Sequence, residues 1–398
     1  MAVNKKVCIG LEEVLHSPPG IFTGKRMGLL CNQASTDSRL RHSRDLIMER
    51  FPGQLSCLFS PQHGFFSAKQ DNMIESDHDI DPASGLPVYS LYGETRKPYP
   101  SMFENIDLLL VDLVDVGTRV YTFSWTVIYC LQTAAETGTG VVILDRPNPL
   151  GGRVEGNVLK DDCFSFVGLH AIPMRHGLSL GELARLCNRE MNIGADLQVV
   201  RARGWRRDMV FADTGLDWVF PSPNMPSFTT AVVYPGQVIW EGTNISEGRG
   251  TTLPFELFGA PFLDVDEVSA AVAQVELPGC FLRPLVFEPT ASKWAGSSCP
   301  GFQLHVTNMQ TFLPYRTSLV LLQALLQLYP QHFRYKEPPY EYEFERLPMD
   351  LIIGSREVRR AVEQGVDILE LERSWQDELA EFKRRCRAVL LYEGGEMD

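Results

Sequence analysis

The chain has 398 residues, 44 % of them hydrophobic, which is enough for a sizeable core and for two domains. Its 37 basic and 50 acidic residues give a formal net charge of -13 at pH 7, so nucleic acid and anionic membrane surfaces are disfavoured as general partners. No run reaches the roughly 18 apolar residues of a membrane span, and the N-terminus lacks the apolar segment of a signal peptide. We therefore expect a cytoplasmic protein, unless a leader was trimmed.

Short apolar runs alternate with amphipathic segments in the N-terminal half, which is the pattern of a mostly parallel sheet covered by helices. The runs predict strands at 27–31, 55–59, 106–113 and 140–144. Segments 38–51 and 125–138 are typical of helices, and 179–190 begins with a serine and a glutamate at capping-box spacing. A further strand is predicted at 197–202. This half is therefore predicted to be an α/β layer structure.

Glycine, proline and aromatic residues accumulate between residues 204 and 256, where the helical and strand periodicities fade. We interpret this segment as ordered functional loops, because aromatic residues are too frequent for a disordered linker. The segments that follow are predicted to be helices at 265–277, 318–330 and 355–365 and a strand at 301–308. The chain is thus predicted to divide into an N-terminal domain, 1–256, with most site motifs, and a smaller α+β domain, 257–398.

Polar side chains follow four of the predicted strands, at the end where open α/β sheets bind their ligands. The candidates are Asn32 after the first run, Gln62 and His63 after the second, Asp115, Arg119 and Tyr121 after the third, and Asp145 after the fourth. Residues of these types bind sugar hydroxyls or assist acid–base chemistry. We therefore expect a ligand site at this edge of the sheet.

A simple structural role exists for several of these candidates. Asp145 could hold the turn that follows it through a side-chain hydrogen bond, and His63 could be a hydrogen-bonded histidine before a glycine turn. Asp115 and Arg119 could form no more than an ion pair. The set of residues at neighbouring strand ends indicates a site more strongly than any one member does.

The stretch "EGTNISEGRGTT", residues 241–252, concentrates charged and hydroxyl side chains beside aromatic residues. Glu241, Glu247 and Arg249 would cost desolvation energy if they were buried without a ligand or partner, so we interpret the stretch as one side of a sugar pocket. The side chains that could donate hydrogen bonds to a sugar are Thr243, Asn244 and Thr251. The alternative is a glycine-rich loop whose hydroxyl groups bond its own backbone.

Motifs for cofactors are missing from the sequence. "SEGRGTT" lacks the lysine of a phosphate-binding loop, and no GxGxxG follows the first predicted strand. The nine cysteines are scattered, none at CxxC spacing, and no HExxH or nucleophile elbow occurs. We therefore expect no cofactor and no metal ion.

Several longer motifs follow one another along the chain: "SPQHGF", "DLVDVGTRVYTF", "LDRPNPLGG", "MRHGLSLGELA", "PSPNMP", "VYPGQVIWEGTNISEGRGTTLPFELFGAP" and "MDLIIGSREVRRAVEQG". Their order resembles the NamZ-like exo-β-N-acetylmuramidases, a family of glycoside hydrolases, nearly end to end. The resemblance implies a Rossmann-like N-terminal domain, a smaller C-terminal domain and a cleft near their junction, with Asn224 of "PSPNMP" among the substrate-binding residues. It also implies release of N-acetylmuramic acid from the non-reducing end of peptidoglycan fragments, so small saccharides or muropeptides are the expected partners.

The chain departs from the family at Gln62. The family typically has a glutamate there, in "PEHG", whereas this chain has "SPQHGF", and glutamine cannot donate and recover a proton. Glycoside hydrolysis normally uses one carboxylic acid and one carboxylate. Glu241 or Glu247 could act as the acid if desolvation by Trp240 and its aromatic neighbours raises its pKa. The groups that could substitute are Glu241, Glu247, Asp115 and, less well suited, His63.

The resemblance also indicates how the substrate could be held. Arg119 and Arg249 suit the lactyl carboxylate of muramic acid, since a guanidinium binds carboxylates through two parallel hydrogen bonds. Two other functions stay open because of Gln62: an amino-sugar-binding protein that has lost catalysis, and a hydrolase with a shifted substrate.

Overall fold

The structure is a computed structural model that describes residues 6–66, 74–75 and 78–394. Its strands are β1 (Met27–Cys31), β2 (Leu55–Ser60), β3 (Asp79–Ile80), β4 (Pro87–Ser90), β5 (Leu108–Asp112), β6 (Gly140–Leu144), β7 (Glu155–Val158), β8 (Pro173–Arg175), β9 (Leu197–Val200), β10 (Leu257–Gly259), β11 (Cys280–Phe287) and β12 (Cys299–Val306). Its helices are α1 (Gly10–His16), α2 (Ser43–Arg50), α3 (Phe123–Thr137), α4 (Leu180–Glu190), α5 (Phe228–Gln237), α6 (Val265–Val272), α7 (Pro314–Leu328), α8 (Pro348–Ile353), α9 (Arg356–Glu363), α10 (Ile368–Ser374) and α11 (Gln376–Cys386). Within the described ranges, none of these helices is both long and apolar enough to cross a lipid bilayer.

A seven-stranded sheet forms the centre of the N-terminal part, with the strand order β3-β4-β2-β1-β5-β6-β9. Among the described strands of this sheet, neighbours run parallel except β3 and β4, which are antiparallel. Apart from the edge strand β3, this is the Rossmann order, in which the chain starts centrally, adds strands on one side and then crosses to the other. The predicted α/β fold with a Rossmann-like, mostly parallel sheet is therefore confirmed.

The strands of this sheet are continuous apolar runs because helices cover both faces of the sheet. On β5, Leu109 belongs to the core cluster that contains helix α3, whereas Leu110 belongs to the opposite cluster with α1 and α2. Successive side chains of a strand point to opposite faces, so a strand buried on both sides needs a continuous apolar run rather than an alternating one.

The C-terminal part is built around a three-stranded antiparallel sheet with the order β10-β12-β11; helix α6 packs on β12, and α7 packs on α6. This confirms the predicted smaller α+β unit. The second sheet begins at Leu257, which is where the predicted second domain starts, but α5 before it packs on α7 of the C-terminal part. The boundary at 256/257 stays a prediction.

The prediction of loops throughout 204–256 is wrong for α5. This helix contains Pro235 and is buried along most of its length, so it shows neither the amphipathic period nor the breaker-free composition that predicts a helix. A side-chain carbon at Gly236 would lie 1.9 Å from the carbonyl oxygen of Pro314, so glycine is what allows α5 to approach α7.

One hydrophobic cluster continues from the large sheet into the C-terminal part. Trp240 stacks on Phe258 with ring centroids 5.3 Å apart, and Phe258 stacks on Phe302 at 5.5 Å. Tyr234 of α5 meets Tyr121, which follows β5, edge to face at 6.2 Å. The shared core therefore holds the loop after β5 close to residues 241–252 and fixes the position of the site between them.

Candidate active site

A cavity opens at the carboxyl ends of β2 and β5, between these strand ends, residues 241–252 and the segment around residue 340. We call it the narrow cavity. Its lining includes Gln62, His63, Tyr121, Asn224, Glu241, Arg249, Tyr340 and Glu341. All of these except Tyr340 and Glu341 are candidates from the sequence, so the fold brings together residues from four separate motifs.

Gln62 lies in the turn after β2 and uses its whole amide group. Its Nε2 donates to the hydroxyl of Tyr92 at 3.0 Å and to Glu341 Oε1 at 3.0 Å. Its side-chain oxygen accepts a hydrogen bond from the hydroxyl of Thr122, which follows β5. The next residue, His63, has a φ of 71°, in the left-handed region that non-glycine residues adopt mostly at turns and functional sites. The amide is therefore held in one orientation against Glu341.

Glu341 is a buried acidic residue on the lining of this cavity that was not among the candidates from the sequence. The residue is 4 % exposed, and its carboxyl group accepts hydrogen bonds from Gln62 and from the Tyr92 hydroxyl, the latter at 2.6 Å from Oε2. Burial raises the pKa of Glu341 to about 7, more than the two hydrogen bonds lower it, and the nearby Glu241 raises it further. The available signal was an acid between two tyrosines in "PPYEYEF", but that pattern does not reveal which carboxyl is buried.

Glu241 is also buried, but it is paired with a cation. Arg249 contacts its Oε1 at 2.6 Å, and the Tyr340 hydroxyl donates to its Oε2 at 2.7 Å. Burial by itself raises the pKa of Glu241, but the charge and hydrogen bond of Arg249, together with Tyr340, outweigh it and leave the pKa below its usual value. The condition under which Glu241 could act as the acid, a pKa raised by desolvation, is therefore not met, and its surroundings favour the carboxylate.

The 241–252 stretch continues this pairing into a chain of alternating charges. Arg249 Nε lies 3.1 Å from Glu247 Oε1, and Lys293 Nζ lies 2.6 Å from Glu247 Oε2. The same ammonium donates to the carbonyl oxygen of Trp240 at 2.6 Å, and burial is the largest cause of its lowered pKa. Each of these four buried charges thus has an opposite charge beside it, which offsets part of the desolvation cost.

Two glycines place Arg249 between the two glutamates. Gly248 and Gly250 have φ values of 76° and 77°, a region that side chains disfavour. A Cβ at Gly250 would also lie 2.4 Å from the backbone nitrogen of Ala291. The "EGRG" sequence therefore permits a backbone path that turns the arginine inward.

A second, wide cavity of about 380 Å³ shares Glu241, Arg249 and Tyr340 with the narrow cavity. Its other lining residues include Thr243, Asn244, Glu247, Lys293, Tyr335 and Lys336. A cavity of this size falls within the usual range for small-ligand sites. The narrow cavity, at about 30 Å³, has room for roughly one water molecule. The two cavities share the Glu241–Arg249 pair on their linings, and we call them together the cleft.

Arg119 and Asp115 have structural positions away from the cleft. The Arg119 guanidinium is buried and donates to the carbonyl oxygens of residues 351–353, including Ile352 at 2.7 Å. Asp115 accepts hydrogen bonds from the Gly117 amide and the Ser124 hydroxyl, both at 2.8 Å. The two residues do not pair with each other in the described structure, and this arrangement argues against their predicted roles in substrate binding and proton transfer.

Asp145 has a structural role, but its partners lie far along the chain rather than in the turn that follows it, which was the predicted alternative. Its carboxylate accepts from the Ser179 hydroxyl at 2.6 Å, the Gly181 amide at 2.9 Å and the Tyr392 hydroxyl at 2.6 Å. Burial raises its pKa to about 6. The residue therefore joins the N-terminus of α4 to the C-terminal segment, and its predicted contact with substrate is not supported.

Three other candidates are engaged mainly with the protein itself. Asn32 donates to the carbonyl oxygen of Pro221 at 2.8 Å and accepts from the amide of Ala34 at 3.0 Å. The Thr251 hydroxyl donates to the Gly248 carbonyl at 2.6 Å, and the Thr243 hydroxyl donates to that of Trp240 at 3.0 Å. Thr243 nevertheless lines the wide cavity. No cluster of three or more histidine, cysteine or acidic side chains that could hold a metal ion occurs among the residues that the structure describes.

Comparison with known proteins agrees with this architecture. The family model described as the N-terminal part of the exo-β-N-acetylmuramidase NamZ matches residues 27–229, and the model of its C-terminal part matches residues 232–392. The chain is 41 % identical to the peptidoglycan β-N-acetylmuramidase NamZ of Bacillus subtilis over 98 % of its own length and 92 % of that protein.

Two crystal structures of DUF1343 family proteins from Bacteroides fragilis have the same fold. One superposes with a TM-score of 0.87 at 31 % identity and covers 98 % of this chain and 99 % of that one. The other has a TM-score of 0.74 at 27 % identity and covers 98 % of this chain and 100 % of that one.

Proposed function

Because the chain belongs to the exo-β-N-acetylmuramidase NamZ family, we propose that it is a glycoside hydrolase that releases N-acetylmuramic acid from the non-reducing end of peptidoglycan fragments. The observation that carries this proposal is the pair of buried glutamates, Glu241 and Glu341, on the lining of one cavity. Glycosidases need one carboxylate and one carboxylic acid, and environments that shift the two pKa values in opposite directions provide them.

The charge of the wide cavity supports an anionic sugar as substrate. Two carboxylates, Glu241 and Glu247, face three cations, Arg249, Lys293 and Lys336. Arg249 and Lys293 are paired with the glutamates, whereas no ion pair between described residues includes Lys336. The lactyl group of muramic acid carries a carboxylate that N-acetylglucosamine lacks, so this excess of positive charge favours the muramyl sugar.

The sizes of the two cavities suit a small substrate. The wide cavity, at about 380 Å³, has room for a small ligand, whereas the narrow cavity beside Glu341 has room for roughly one water molecule, so we propose that small saccharides or muropeptides enter by the wide cavity. A cytoplasmic role in turnover of such fragments remains a prediction from the sequence.

The direct test measures release of N-acetylmuramic acid from a MurNAc–GlcNAc disaccharide and of nitrophenol from 4-nitrophenyl β-MurNAc. The matched control substrate is 4-nitrophenyl β-GlcNAc, which has the same leaving group and no lactyl carboxylate. We expect turnover of both muramyl substrates and little of the control. Tight binding of the disaccharide without any turnover would contradict the proposal and identify a sugar-binding protein.

A further inference from the structure

The chemistry of the cleft leaves one unassigned step, the protonation of the leaving oxygen. Gln62 has no acidic proton to donate, and Glu241 is kept ionised by Arg249. We propose that Glu341 is the general acid of this site, because its carboxyl group lies in the narrow cavity and, among the residues that the structure describes, accepts its hydrogen bonds from the neutral donors Gln62 and Tyr92. This inference rests on the proposed glycosidase function and assigns the residue that protonates the leaving group.

The hydrogen bonds that Glu341 accepts orient its carboxyl group and leave it able to carry a proton. Gln62 approaches one carboxyl oxygen at 3.0 Å and Tyr92 approaches the other at 2.6 Å. Each carboxyl oxygen has a second lone-pair direction, so a proton can be carried there toward the cavity. No ion pair joins Glu341 to a cation among the described residues, in contrast to Glu241 and Glu247.

The groups around Glu341 are consistent with a carboxyl that exchanges its proton near neutral pH. The titratable and charged groups that face it are Tyr92 after β4, Tyr234 of α5, His63 after β2, Glu241 and Arg249 of the 241–252 stretch, and Tyr340 and Tyr342 on its own segment. Burial raises the pKa of Tyr234 and Tyr340 well above the ordinary value, so both are neutral near pH 7. The nearest full charges, Glu241 and Arg249, neutralise each other.

Proton transfer from Glu341 accompanies cleavage of the glycosidic bond in the proposed step. The bond from the anomeric carbon to the glycosidic oxygen breaks while Glu341 transfers its proton to that oxygen, so the leaving sugar departs as an alcohol. The carboxylate of Glu241 compensates the positive charge that develops at the anomeric carbon. Water then adds to the anomeric carbon and loses a proton. That proton reaches the Glu341 carboxylate directly or through solvent, so Glu341 is protonated again.

Access to Glu341 requires a local rearrangement. The narrow cavity does not accommodate a sugar ring as it stands, so the side chains at its end must move apart for a glycosidic oxygen to reach the carboxyl group. Rotamer changes of this kind are common when ligands bind.

The decisive experiment compares Glu341→Gln with the native chain on two substrates that differ in leaving group. The disaccharide needs protonation of its leaving alcohol, whereas nitrophenolate departs readily without it. We expect kcat/KM of Glu341→Gln on the disaccharide to fall by about 10²–10⁴-fold, with a far smaller loss on 4-nitrophenyl β-MurNAc. The matched control is Glu337→Gln, the same change at an exposed glutamate of the same segment, and it should match the native chain on both substrates.

The outcomes separate this inference from the proposed function. Absence of native turnover on either muramyl substrate refutes the function itself. Native turnover with equal losses on both substrates, or with no loss, in a Glu341→Gln variant whose thermal unfolding matches the native chain would overturn the assignment of Glu341 alone.

The pH profile provides an independent readout. A general acid must be protonated, so native kcat should fall as the pH rises through the pKa of Glu341, about 7. Tyr92→Phe removes a hydrogen bond that stabilises the carboxylate, so the alkaline limb should move to higher pH. A purely structural role for Tyr92 predicts an unmoved limb, and that result would contradict the proposal even if Glu341→Gln fails to fold.

Discussion

Glu241 and Glu341 line the same narrow cavity and are both buried, but they belong to regions that treat a carboxyl group differently. The 241–252 stretch surrounds Glu241 with a cation and places a second ion pair behind it. The region around Glu341 is different, because this carboxyl group accepts hydrogen bonds from two neutral donors, Gln62 and Tyr92, in the loops after β2 and β4. Similar burial therefore gives opposite pKa shifts, and the charge of the partner decides which glutamate holds a proton at neutral pH.

The largest effect should come from making the first region resemble the second. Arg249→Met leaves Glu241 buried without its cation, which typically costs about 3–5 kcal/mol of stability. The pKa of Glu241 should then rise, because the largest opposing influence on the effect of burial is lost while the Tyr340 hydrogen bond and the charge of Lys293 stay, and kcat should fall at neutral pH. Urea unfolding and steady-state kinetics would measure the two effects, with exposed Arg39→Met as the matched control. A stability equal to that of the control would show that the pair contributes nothing.

A smaller change should come from adding charge to the second region. Gln62→Glu places a carboxyl group about 3.0 Å from Glu341, where two like charges cannot both ionise. The pair should share one proton, so the alkaline limb of kcat should move up by about one pH unit or more, equivalent to roughly 1.4 kcal/mol. The pH dependence of disaccharide hydrolysis would detect the shift, and Gln331→Glu at an exposed position should leave the limb in place. A limb that stays at the native pH would refute the coupling.

The smallest effect concerns the mouth of the wide cavity, where charge is exposed. Lys336→Gln removes a cation that we expect to attract the lactyl carboxylate, and exposed pairs typically contribute about 0.2–1 kcal/mol. KM for the muramyl substrate should rise about 2–5-fold with little change in kcat, and the difference should shrink at high salt. Lys25→Gln, at an exposed position outside the cavity, is the control. An equal KM at low salt would exclude Lys336 from recognition.

The candidate site could be predicted in part, for reasons that particular residues make clear. Gln62, His63 and Tyr121 follow strands whose apolar runs are visible in the sequence, and Glu241 and Arg249 lie in a stretch of unusual polarity. Asn32 and Asp145 follow similar runs but face the protein rather than the cleft, since neighbouring backbone and hydroxyl groups bind them. Position at a strand end therefore identifies the edge of the sheet at which the narrow cavity opens, but not which side chains line that cavity.

Glu341 shows where prediction from the sequence stops. It is 279 residues from Gln62 along the chain and contacts that side chain directly. Neither its spacing nor its local pattern indicates this contact, because it arises from the shared core that packs the C-terminal part against the loops after β2 and β5. Helix α5 was missed for a related reason, since a helix buried on nearly all sides has no polar face to mark its period.

The sequence by itself determined the α/β fold, the edge of the sheet that carries the site, the polar stretch 241–252 and the loss of an acidic proton at Gln62. The first three features depend on local composition and on the alternation of apolar and polar segments, which short-range interactions impose, whereas the loss at Gln62 is visible only by resemblance to the family's "PEHG" motif. The tertiary structure alone decided the partners of each carboxyl group: Arg249 for Glu241, and Gln62 and Tyr92 for Glu341. Proton affinity in a buried site depends on desolvation and on neighbours a few ångströms away, and these are set only when distant segments pack together.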